Sequence, residues 1–245
     1  MKKFYQSVNL LPKNFLQLQA PSIWIRDFMP ITSSRKELVG FYYKCEYLSD
    51  FGEPSFDVEC IWAQYCNKVH HARIIADGAH FMELDRHWLV SESVARENSH
   101  LLKSDLSKYL ENLLGKNILW MEPMPGDPFG HLDGIIAVMG VNRLGIYSND
   151  YYQDYLTLMS HQLRNHGYAV IEFPVYFNNH NELSAEGLFL NFASDDSSVF
   201  LPIQEEGNVE SHTLERLIGK KIKWVNDVGS YLALGGGLHC LTWEK

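Results

Sequence analysis

Ser104-Asp105-Leu106-Ser107-Lys108-Tyr109-Leu110-Glu111-Asn112-Leu113-Leu114-Gly115-Lys116-Asn117-Ile118-Leu119-Trp120 joins two kinds of element in one short stretch. Leu106, Tyr109, Leu110, Leu113 and Leu114 recur at helix spacing, which makes one face of a helix over 104–114 apolar. Ser104 is placed to cap its start and Gly115 to stop it. Ile118 to Trp120, directly beyond, is an apolar run of strand character. Helix, glycine, strand is the pattern to look for elsewhere in the chain.

It recurs. Further helices are expected over Tyr151 to Asn165, before Gly167, and Glu210 to Ile218, before Gly219. Upstream, strand-like runs are Ser22 to Arg26, Leu38 to Tyr43, Arg73 to Ile75 and His87 to Val90. Downstream they are Gly134 to Met139, Gly145 to Ser148, Ala169 to Phe173, Gly187 to Phe192, Ser198 to Leu201 and Lys221 to Val225. They are rich in Ile, Val, Tyr and Phe and end at Gly, Asp, Asn or Pro. Strands alternating with helices define an α/β chain. The letters alone show no internal repeat.

The 245 residues are 46% hydrophobic and 21% charged, enough for a sizeable core, and are read as one domain over 1–245. No apolar run approaches the ~20 residues of a membrane span. Two lysines near Met1 lead into no apolar stretch, so no signal peptide is read and a cytoplasmic protein is expected. The net charge is -9, with no basic block, which argues against nucleic acid and suits a small cationic partner. No pair among Cys45, Cys60, Cys66 and Cys240 has CxxC spacing, and the first three are read as free structural thiols.

Three segments carry chemistry. Gly235-Gly236-Gly237-Leu238-His239-Cys240 presents a thiol after a run without side chains, as suits a nucleophile or a buried terminal strand. Gly130-His131-Leu132-Asp133-Gly134 opens an apolar strand, where residues two apart share a side. His131 and Asp133 could thus be an acid/base pair, a metal pair or an ion pair. Trp24-Ile25-Arg26-Asp27-Phe28-Met29-Pro30 sets a carboxylate among apolar residues, where it needs a positive partner. In a strand Arg26 would point the other way, and a cationic ligand could serve. Zinc held by Cys240, His131 and Asp133 is one reading of the set. A guanidinium gripped by two carboxylates, its central carbon open to a thiolate, fits better.

Four segments in order resemble the agmatine deiminase and bacterial-type (Porphyromonas-type) peptidylarginine deiminase family. They are Trp24-Ile25-Arg26-Asp27 with Pro30, Gly130-His131-Leu132-Asp133-Gly134, Gly187-Leu188-Phe189-Leu190-Asn191-Phe192, and Gly235 to Thr242. Ala76-Asp77-Gly78-Ala79-His80-Phe81 looks like a degenerate copy of the family's acidic-Gly-Gly-Asn segment. The resemblance implies a pentein fold, an α/β-propeller of pseudo-repeated ββαβ units around a central active site. It implies Cys240 as nucleophile, His131 as general acid/base, and Asp27 and Asp133 as the grip on the guanidinium. Trp24 and Asn191 fall at substrate-binding positions, and His239 is read as supporting, facing away in an extended segment. The implied reaction is deimination of agmatine, arginine or peptidylarginine through a cysteine thiouronium adduct, with no metal or organic cofactor. Amidino transfer through the same adduct, or a silent pentein that binds a guanidino ligand or a protein, are the alternatives. A homodimer is expected only because that is the commonest assembly.

Departures from the family pattern are Ser22 in place of an acidic residue, Met29 before Pro30, and Ala79 and His80 in place of Gly and Asn. Only 23 residues precede Trp24, so elements that narrow an agmatine pocket are expected to be missing. Arg73, Arg86, Arg96 and Arg143 could hold a substrate carboxylate, and Tyr42, Tyr43, Trp62 and Tyr147 an aliphatic chain. Ion pairing and core packing are the ordinary uses of such residues.

Overall fold

The computed structural model describes residues 20–44, 56–148, 150–174, 185, 189–203 and 211–244. Cys45, Gly187, Leu188 and Glu210 lie outside the described residues. The chain divides into two compact units, one of Leu18–Asp133 with Thr242–Lys245, the other containing Gly134–Leu241.

In chain order the first unit holds α1 (Ile25–Phe28), β1 (Ile31–Thr32), β2 (Leu38–Tyr42), α2 (Val58–Tyr65), β3 (His70–Ile75), a 3-10 turn (Gly78–His80), β4 (Phe81–Glu83), β5 (His87–Ser91), α3 (Glu92–Glu97), α4 (Lys103–Leu114) and β6 (Asn117–Met121). The second holds β7 (Ile136–Gly140), β8 (Arg143–Ser148), α5 (Gln153–Asn165), β9 (Ala169–Pro174), β10 (Ala193–Ser194), β11 (Ser198–Pro202), α6 (Ser211–Ile218), β12 (Lys221–Val225) and α7 (Gly229–Leu232).

Among the described residues the strands form four three-stranded sheets, ordered β1-β2-β3, β4-β5-β6, β7-β8-β9 and β10-β11-β12. Each sheet has the same plan: an antiparallel pair, a helical crossover, then a third strand parallel to the second. A parallel partner needs such a crossover, because a tight turn cannot return the chain in the same direction. The ββαβ plan thus occurs four times, in a mixed α/β fold with small sheets.

The apolar face of α4 behaves as its spacing predicts. Leu106, Leu110 and Leu114 are fully buried in one cluster with Val39, Phe41, Phe81 and Val90 from two sheets of the first unit. Phe41 and Phe81 stack face to face across it, ring centroids 4.4 Å apart. Gly115 takes a left-handed conformation and its N–H returns to Glu111 O at 2.9 Å, closing the helix. The helix starts one residue earlier than expected, with Leu102 rather than Ser104 at its N-cap.

Four further expectations change. Ser22 to Arg26 is not a strand: Ile25–Phe28 is a single helical turn. His131 and Asp133 do not open a strand; residues 130–135 form a bend and turn ahead of β7. Residues 189–192 are not extended pairing partners, and residues 233–241 are turns and irregular chain rather than the extended segment expected around His239. Among the described residues no helix is long and apolar enough to cross a membrane.

Candidate active site

The first unit gathers acids and imidazoles from three segments far apart in sequence. Asp27 comes from α1, Asp77 from the residue before the 3-10 turn, and His131 and Asp133 from the turn ahead of β7. The helical turn of α1 is what buries Asp27, along with Ile25 and Phe28. Gly78 lets the Asp77 segment approach it: a Cβ there would stand 2.2 Å from the Arg26 carbonyl oxygen. Glycine is the residue that permits such an approach.

His131 lies at the centre. Its Nε2 donates to Asp77 Oδ2 at 3.0 Å, and its Nδ1 lies 3.9 Å from Asp27 Oδ1. All three carboxylates are buried, Asp133 at 3% exposure. Burial opposes charge on the imidazole. The Asp27 carboxylate, the bond to Asp77 and the charge of Asp133 outweigh it and raise His131 to about 10. Asp27 also moves up, to about 7, chiefly through burial, with repulsion from Asp77 and Asp133 adding to it. His131 and Arg26 pull it the other way. Arg26 therefore does act on Asp27, which the strand reading did not anticipate. The cluster is rich in buried negative charge and holds His131 as imidazolium at neutral pH.

The second unit places the thiol. Leu238 is fully buried with Phe200, Val225 and Val228, and Leu241 packs against the same cluster, so apolar anchors flank Cys240 on both sides. The Asn191 side chain faces the cysteine twice. Its Oδ1 accepts the Cys240 N–H at 3.2 Å, and its Nδ2 donates to Cys240 Sγ at 3.1 Å. Its backbone oxygen accepts the His239 N–H at 3.2 Å. The glycine run has a specific cause: a Cβ on Gly237 would stand 2.6 Å from Asn191 O and 2.7 Å from its Oδ1. An N–H aimed at sulfur favours the thiolate over the thiol. Cys240 is a free thiol, as are exposed Cys60 and buried Cys66.

Of the residues singled out in the sequence, Asp27, His131 and Asp133 are brought together, and Cys240 meets Asn191. Trp24 is half-buried ahead of α1, with its backbone N–H on Ser22 Oγ at 3.3 Å. Among the described residues its indole enters no hydrogen bond or ion pair of the His131 group. Sequence reasoning missed Asp77. The acidic position of the degenerate family segment was the available signal, but its bond to His131 spans 54 residues.

The chain belongs to the Porphyromonas-type peptidyl-arginine deiminase family, matched over residues 2–245. Among solved structures it is similar to substrate-bound agmatine deiminase of C. jejuni, at 19% identity and TM-score 0.72 over 92% of this chain and 74% of that one. Agmatine deiminase of Enterococcus faecalis gives 15% and 0.69 over 89% and 73%. An adduct of dimethylarginine dimethylaminohydrolase gives 16% and 0.57 over 90% and 77%. At these identities the likeness is one of fold. No curated protein sequence matches the chain.

Proposed function

We propose that the protein is a guanidino-group hydrolase, a deiminase of agmatine, arginine or peptidylarginine that works through a covalent cysteine adduct. One observation carries this: three buried carboxylates, Asp27, Asp77 and Asp133, are gathered with the imidazole of His131, which is bonded to Asp77. A buried excess of negative charge favours a cation, and a guanidinium matches carboxylates with planar paired N–H donors. Family membership and the thiol held by Asn191 support the same reading.

Asp27 and Asp133 hold the guanidinium nitrogens. The Cys240 thiolate attacks the central carbon, an S–C bond forms, and the C=N electron pair moves onto nitrogen. His131, already protonated, gives its proton to the departing amine, and ammonia leaves as the C–N bond breaks. A thiouronium remains. Neutral His131 then takes a proton from water, whose oxygen attacks the same carbon. The S–C bond breaks and its electrons return to sulfur, the remaining hydroxyl proton passes to solvent as the C=O forms, and a ureido product is released.

Ureido product and ammonia are measured across agmatine, free arginine, methylated arginines and arginine peptides, with Cys240→Ala alongside. Turnover of one compound that vanishes in Cys240→Ala is expected. Turnover that survives the substitution overturns the cysteine adduct, and no turnover with Cys240-independent guanidino binding overturns the hydrolase reading.

A further inference from the structure

His80 closes the segment Asp77-Gly78-Ala79-His80. His80 is 4% exposed and ends the 3-10 turn. Both of its ring nitrogens are engaged. The Asp77 backbone N–H donates to His80 Nδ1 at 3.0 Å, so that nitrogen carries no proton. Nε2 lies 2.8 Å from the Phe129 carbonyl oxygen, which can only accept, so that nitrogen does carry one. The two bonds together select the neutral Nε2–H tautomer.

Their position gives the pair its consequence. Asp77 is the hydrogen-bond partner of His131. Phe129 is two residues ahead of His131, and its ring packs against the His131 ring with centroids 5.7 Å apart. The His80 ring meets His131 edge-on at 5.2 Å. A backbone bond from Leu132 N–H to Ala79 O, 3.1 Å, runs beside them. One imidazole thus ties the segment that carries Asp77 to the segment that carries His131.

We propose that His80 is a positioning residue, a neutral imidazole locked in one tautomer that sets the Asp77–His131 hydrogen bond and thereby the orientation of His131. Its effect on turnover rests on the hydrolase reading; its effect on His131 does not. An imidazolium at position 80 would turn Nδ1 into a donor facing the Asp77 N–H, leaving two buried donors opposed. Burial first, and the positive charge of His131, hold the His80 pKa below the ordinary histidine value, against the pull of Asp77, Asp127 and the Phe129 carbonyl. Lys44, Arg96 and Glu97 line the same small cavity beside it. Asp77, His80 and His131 also present ligand atoms within 4.8 Å of one another. A metal ion there would have to break bonds that each of the three already makes.

The test is nitrogen-resolved NMR of the histidine rings in the full chain, for wild type, His80→Asn and His80→Phe, with circular dichroism to establish folding. In wild type His80 is expected as the neutral Nε2–H form at neutral pH. In His80→Phe the His131 pKa is expected to fall from about 10 toward its ordinary 6.5. His80→Asn keeps an acceptor for the Asp77 N–H and should retain part of the shift. On a substrate from the guanidino panel, His80→Phe should lower kcat about a hundred-fold, the cost of a small misplacement of a catalytic group, with KM little changed. A protonated or Nδ1–H His80, or a folded His80→Phe with wild-type His131 pKa, overturns the proposal. Stoichiometric zinc that shifts both rings overturns it in favour of a metal site. If no guanidino compound turns over, the hydrolase reading fails while the ring spectra still decide the role of His80.

Discussion

At the scale of single residues the His131 group is governed by a contest between burial and charge. For His131 the carboxylates win and the pKa rises, so the fold is stabilised by its proton. That stabilisation is complete below the ordinary value of 6.5 and is lost as pH rises through about 10. Asp77→Asn removes one charge and weakens the Nε2 bond, so alkaline loss of stability should begin at a lower pH. Urea midpoints measured against pH for both proteins check this; superimposable curves would mean that Asp77 does not hold the proton. For Asp27 burial wins. Its carboxyl is raised from an ordinary 3.8 to about 7, so it costs stability progressively as pH climbs between those values. A bound guanidinium favours the carboxylate and returns the pKa downward. Binding near pH 7 should therefore release a fraction of a proton, visible as calorimetric heats that vary with the ionisation enthalpy of the buffer. Buffer-independent heats would show that Asp27 is ionised before the ligand arrives.

Elements explain why these residues meet and why some were hidden. The glycine run before Cys240 is read correctly as a place of close approach, and the structure supplies the neighbour, Asn191. Gly237→Ala puts a methyl against the Asn191 oxygens. It should destabilise the protein by about 1–3 kcal/mol, the usual cost of overpacking. It should also lower kcat by more than that loss of folded protein explains, because Asn191 is pushed off the sulfur. Chemical denaturation and single-turnover kinetics on the same samples separate the two effects; a stability loss with unchanged kcat would leave Asn191 a purely structural role. The long helix α4 was legible because three turns of leucines impose a period. The four residues of α1 are too few to show one, and their apolar content imitates a strand. The Asp57 cap of α2, whose side chain accepts from Glu59 and Cys60 N–H, was the available signal for that helix. Its buried residues Ile61 and Trp62 are adjacent in sequence and give no stripe. The roles of Asp77 and His80 were hidden for another reason: their bonds to His131 and Phe129 span 54 and 49 residues, and only the folded chain brings them together.

For the whole molecule, alternating strand and helix signals reveal the fold class, but the fourfold ββαβ plan is a property of pairing, which no periodicity encodes. Net charge is the one global quantity that the letters state completely: 21 basic against 30 acidic residues, or -9. A cationic substrate is attracted over distances set by screening, about 10 Å at 0.1 M salt and about 3 Å at 1 M. Buried carboxylates such as Asp27 and Asp133 are screened far less. Encounter and chemistry should therefore separate. With agmatine or another cationic substrate, kcat/KM should fall about ten-fold from low to molar salt while kcat holds steady. A peptide with one arginine among several acidic residues should show the reverse slope, since the surface repels it until salt intervenes. Steady-state kinetics on both across a salt series decide the matter. A flat kcat/KM for the small cation would mean that the acidic surface plays no part in recruitment and that the buried cluster alone selects the substrate.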